Sequence, residues 1–83
     1  MKQKAISWIS WLLVGGPANG KIVRILRGDP VVIPIGLKQY QYEPEDFVIN
    51  GSVYRIGLNG PAPVISEIEK MIVDSGLKPY RAI

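Results

Sequence analysis

Apolar and polar side chains alternate from Ile6 to Val14, with Ile6, Trp8, Ser10, Leu12 and Val14 opposed to Ala5, Ser7, Ile9, Trp11 and Leu13. The first face is apolar except at Ser10, and the second becomes so only from Ile9. This period of two predicts a strand whose second half is covered on both sides. Ile6, Ile9 and Leu13 are also spaced for a helix that Gly15-Gly16-Pro17 would stop, and that reading stays open.

Gly16-Pro17-Ala18-Asn19-Gly20 is rich in turn chemistry, since proline fixes φ and Asn-Gly accepts positive φ, so the chain reverses here. Ile22 to Leu26 resumes as a strand, making the founding hairpin of a small sheet, and Arg27-Gly28-Asp29-Pro30 is the next turn. Val31-Val32-Ile33-Pro34-Ile35 is β-branched but carries a proline that cannot donate to a ladder, which places it at an edge or a bulge. Leu37 to Tyr42 reads as a half-exposed strand, and Glu43-Pro44-Glu45-Asp46 as an acidic turn. Phe47-Val48-Ile49 and Val53 to Leu58 flank Asn50-Gly51-Ser52, the strongest short-range hairpin signal in the chain.

Asn59-Gly60-Pro61-Ala62-Pro63 closes the β region, and a helix is expected from about Pro63 to Ser75. Val64, Ile68, Met71 and Ile72, with Ile65 and Ser75 at the margins, form its apolar stripe, and Gly76 stands where a helix-ending glycine belongs. That stripe should cover one face of the sheet. The segment from Leu77 to Ile83 and the first four residues are expected to be loosely ordered ends. The resulting expectation is one α+β domain spanning 1–83: a twisted antiparallel sheet of four or five strands with one C-terminal helix packed on a face.

Composition narrows the chemistry. Eighty-three residues make a single core. With 47% hydrophobic and 20% charged residues, the chain is globular rather than disordered. There is no cysteine and no histidine, which excludes disulfides, thiol chemistry, zinc centres and histidine triads, and suits a reducing compartment such as the cytoplasm. The net charge of +3 comes from ten basic and seven acidic residues, and the basic ones are scattered along the chain. The N-terminal Lys2 and Lys4 before an apolar run resemble a signal peptide, but Ser7 and Ser10 interrupt the run and no small-residue cleavage pattern follows. At ten residues the run is also shorter than the ~20 a membrane helix requires.

Gly15-Gly16-Pro17-Ala18-Asn19-Gly20-Lys21 fits the spacing of a phosphate-binding loop. Ile22 replaces the required Ser or Thr, and the segment from Ile22 to Leu26 is β-prone rather than helical, so a tight turn is the better reading. The carboxylates Glu43, Glu45 and Asp46, and Glu67, Glu69 and Asp74, fall in an expected turn and on a polar helix face, so no acid–base pair is desolvated. No catalytic residue, metal site or cofactor is assigned, and an enzyme is not expected.

Binding chemistry remains. Tyr40, Tyr42 and Tyr54 interleave with Lys38 and Arg55 and would share a face if their strands are neighbours, a pattern able to stack unpaired bases. The plainer reading makes them half-buried cross-strand pairs. Trp8 and Trp11 are three apart and point to opposite faces of a strand; burial of both is the expectation, and an exposed one would be a binding anchor. The candidate partner-binding residues are thus Trp8, Trp11, Tyr40, Tyr42, Tyr54 and Arg55. The first functional expectation is a non-enzymatic protein that docks on another protein through a sheet edge or tyrosine-bearing face. A nucleic-acid-binding module, and a minor virion or assembly component for which self-association would be the sign, are the alternatives, and a homodimer is possible.

Leu13-Val14-Gly15-Gly16-Pro17-Ala18-Asn19-Gly20, with the later Val53-Tyr54-Arg55-Ile56, resembles a pattern in small bacteriophage and prophage proteins that carry Gly-Gly-Pro-x-Asp-Gly near the N-terminus. Asn19 stands in place of the Asp. The resemblance implies a phage or prophage origin and expression in bacterial cytoplasm, and it carries over no activity.

Overall fold

The computed structural model describes residues 8–25 and 31–82. Strands β1 (Ile9–Val14), β2 (Ile22–Ile25), β3 (Val31–Ile35), β4 (Lys38–Ile49) and β5 (Ser52–Leu58) are followed by helix α1 (Ile65–Ser75) and a two-residue strand β6 (Arg81–Ala82). The expected turn at Arg27–Pro30, with Leu26, and the start of the first strand at Ile6 lie outside the described residues.

The sheet order is β2-β1-β5-β4-β3, with β6 also paired to β5. Its α+β class agrees with the expectation, but the sheet is larger, mixed and curled toward a barrel. β1 runs parallel to β5, with Trp11 opposite Arg55 and Val14 opposite Leu58, whereas an all-antiparallel sheet was expected. Both edges of β1 are thereby paired, by β2 on one side and β5 on the other, and its second half is apolar on both faces because Leu12 and Val14 pack into one hydrophobic cluster and Trp11 and Leu13 into another.

Three local expectations are corrected. Glu43-Pro44-Glu45-Asp46 is no turn: it is the middle of the 12-residue β4. Among the described residues, the first part of β4 pairs with β3 as far as Tyr42, and from Glu43 onward β4 pairs with β5. Among the described residues Pro44 has one ladder partner, Gly57 of β5, and the strand continues through it. The helix begins at Ile65 with Val64 as N-cap, and Val64 and Ile65 are exposed, so the buried stripe narrows to Ile68 and Ile72 with Met71 beside them. The C-terminal segment, expected to be loose, pairs as β6 with Ser52 and Val53 and buries Leu77.

The Asn50-Gly51 hairpin forms as read, with both residues at positive φ (49° and 80°) between the paired Ile49 and Ser52. Pro34 lies in the edge strand β3, as its missing donor requires. Gly76 ends α1 in the left-handed conformation and bonds back to the Val73 carbonyl.

Where a single core was expected, side chains on the two faces of the one sheet build two hydrophobic clusters. Leu12, Val14 and Ile56 pack with Ile68, Ile72 and Leu77 on the helix side. Trp11, Leu13, Ala18, Val31 and Tyr42 pack on the other. Each fully buried side chain of this size contributes roughly 1.5–3 kcal/mol relative to exposure, so a chain this short draws stability from both faces of one sheet.

Candidate binding cleft

The β5 edge that carries β1 is shared. β1 pairs with Arg55 to Leu58, and β6 takes over at Ser52 and Val53. Ile9 and Ser10, at the start of β1, pair with β2 but not with β5, because β6 occupies the place they would need. Between the two strands a cleft of about 510 Å³ opens, with Trp8, Ile9 and Ser10 on one wall and Lys78 to Arg81 on the other.

A hydrogen-bonded network fixes the second wall. The Tyr80 hydroxyl donates to Asp46 Oδ2 (3.0 Å) and accepts from Arg55 Nη2 (3.1 Å) and Arg81 Nε (3.3 Å). Arg55 Nε donates to Asp46 Oδ1 at 2.8 Å, and the Tyr80 N–H donates to the Val53 carbonyl at 2.9 Å. The Arg55 guanidinium lies 4.8 Å from the Tyr80 ring centre and 5.5 Å from that of Trp11, within cation–π range of both. Partial burial works against the charge on Asp46. The hydrogen bonds from Arg55 and Tyr80, and the charges of Arg55 and Arg81, outweigh it and hold the carboxyl below its ordinary value. Burial likewise opposes the Arg55 charge, but Tyr80 and Asp46 raise it above the usual arginine value, so the pair stays ionised.

The first wall presents an exposed aromatic side chain. Trp8 is 55% exposed, against the expectation that both tryptophans are buried, and the Arg24 guanidinium lies 6.0 Å from its ring centre. Trp11 is fully buried, and its indole N–H has no acceptor among the described residues.

No family model, curated protein or solved structure matches this chain. The functional reading therefore rests on the geometry of the cleft.

The six residues singled out from sequence are not brought together. Tyr42 is fully buried, and its hydroxyl donates to the Gly15 carbonyl (2.9 Å) and accepts from the Ala18 N–H (3.0 Å). Tyr40 packs against the same core as Tyr42, while Tyr54 packs on the helix side. The three tyrosines thus occupy opposite faces and form no common stacking platform. Lys38 is at the far end of β4, opposite Ile35. Of the six, only Trp8 lines the cleft, and Arg55 braces its far wall through Tyr80. Sequence reasoning missed Arg24, Lys78, Tyr80, Arg81 and Asp46. Pro79-Tyr80-Arg81, an aromatic between a proline and an arginine in a short tail, was the signal present.

The glycine-rich turn is structural. Gly15 N donates to Asn19 Oδ1 at 2.7 Å, and Ile22 to Ile25 is a strand, so no helix N-terminus faces the turn. Among the described residues, no group of three or more carboxylates is placed to hold a metal ion, and no helix is long and apolar enough to cross a membrane.

Proposed function

We propose that this domain is a non-enzymatic binding protein, and that it meets a protein partner at the cleft between β1 and β6. The exposure of Trp8 carries the reading: a large aromatic left in solvent beside Arg24, in a domain that buries Trp11 and Tyr42 completely. Tryptophan and arginine dominate binding hot spots, and they do so where a rigid neighbour excludes water around them. The Asp46–Arg55–Tyr80 network supplies that rigid wall. The turn motif supports a role as a phage or prophage accessory protein in bacterial cytoplasm, docking on a host or phage protein.

Affinity capture from bacterial lysate tests this, with nuclease present and with Trp8→Ala beside the wild type. A stoichiometric protein that survives nuclease and is lost with Trp8→Ala, but retained by Val48→Glu on the exposed outer part of β4, is the expected result. A partner lost on nuclease treatment would move the reading to nucleic acid, and one retained by Trp8→Ala would move the surface elsewhere.

A further inference from the structure

We propose that the occupant of the cleft is an extended, acidic peptide segment of the partner, held by Arg24, Lys78 and Arg81 around the Trp8 and Tyr80 rings. This rests on the cleft being the binding surface. Among the described residues, those lining the cleft include Lys78 and Arg81 and no carboxylate, and Arg24 stands over Trp8. The nearest acid in the network, Asp46, is already bonded by Arg55 at 2.8 Å, while Arg81 reaches it only at 3.9 Å and stays 56% exposed. Arg81 thus keeps donors free for an incoming carboxylate, and a guanidinium fork suits that geometry.

Among the described residues, Ile9 and Ser10 pair with a strand on one side only, and β6 pairs only with β5. Each wall therefore includes a short strand edge, Ile9-Ser10 on one side and Arg81 of β6 on the other, with no ladder partner across the cleft among the described residues. An extended peptide satisfies such edges with its own N–H and C=O groups, whereas a nucleotide chain offers no matching ladder. A single-stranded nucleic acid would also need a track of stacking rings with cations along it. Here the remaining tyrosines, Tyr40, Tyr42 and Tyr54, pack into the two cores.

Fluorescence anisotropy with the full chain tests this, using a labelled peptide of alternating Asp and Leu, its Asn-for-Asp isostere, and oligothymidine. The Asp peptide is expected to bind about tenfold or more tightly than the isostere and to weaken as salt rises. Lys78→Ala and Arg81→Ala should each weaken it about three- to tenfold. Lys78 is exposed and makes no hydrogen bond among the described residues, so its variant separates charge from folding. Equal binding of the isostere, no binding of either peptide, or tighter Trp8-dependent binding of oligothymidine overturns the acidic segment. If the nuclease-resistant partner is still captured through Trp8, those results leave the cleft itself standing. If that capture fails as well, the cleft falls with it.

Discussion

The Tyr42 hydroxyl, 27 residues away in sequence, donates to the Gly15 carbonyl at 2.9 Å while the neighbouring Ala18 N–H donates to it at 3.0 Å. One phenol thereby holds both sides of the glycine-proline turn, which explains why a turn so rich in flexible residues is fixed in place. Tyr42→Phe leaves a buried donor and acceptor unpaired with no change in the shape of the ring. It is expected to cost about 1–3 kcal/mol, measured as a fall in the urea midpoint at unchanged slope.

Asn19 acts on the same turn through one oxygen, which accepts the Gly15 N–H at 2.7 Å. An aspartate offers an equivalent acceptor. Asn19→Asp should therefore stay within about 0.5 kcal/mol of the wild type, while Asn19→Ala loses about 1 kcal/mol in the same titration.

Gly15 has φ +86°, and a Cβ there would collide with the Asn59 carbonyl oxygen, whose own residue donates its N–H to Val14 at 3.0 Å. Backbone strain and overlap act together, and the obstacle is main chain that cannot swing away. Gly15→Ala is expected to destabilise by about 2–4 kcal/mol, visible as a lowered thermal midpoint.

Asp46 has a carboxyl held below its ordinary value of 3.8 by Arg55, Tyr80 and Arg81. A folded value below the unfolded one means the group binds its proton more readily in the unfolded chain. Its contribution to stability is therefore complete above the ordinary carboxylate value and is lost as pH falls through the folded one. Because the side chain is 41% exposed, that contribution should stay below about 1 kcal/mol. Asp46→Asn should lower stability at pH 7 and reduce the difference in stability between pH 6 and pH 2, followed by denaturant titration at each pH.

What the sequence made legible was local. Asn50-Gly51 forces its hairpin because both residues accept positive φ, and Pro34 marks an edge because it lacks a donor. The parallel pairing of β1 with β5 joins residues more than forty positions apart and has no turn to announce it. Glu43-Pro44-Glu45-Asp46 reads as a turn from its composition, whereas its place in a strand is set by the pairing with β5, Pro44 opposite Gly57, which no local signal announces. The cleft was hidden for the same reason. Arg24, Arg55 and Arg81 are scattered in sequence, and only the pairing of β2 with β1 and of β5 with β1 and β6 brings Arg24 beside Trp8 and Arg55 and Arg81 beside Tyr80.

A photoreactive aromatic residue placed at position 8 in place of Trp8, with a second preparation carrying it at the exposed Leu37, would report on the surface directly. Irradiation in bacterial lysate after nuclease treatment should give one protein adduct from position 8 and none from position 37. An adduct of equal yield from both positions, or from position 37 alone, would contradict binding at the β1–β6 cleft.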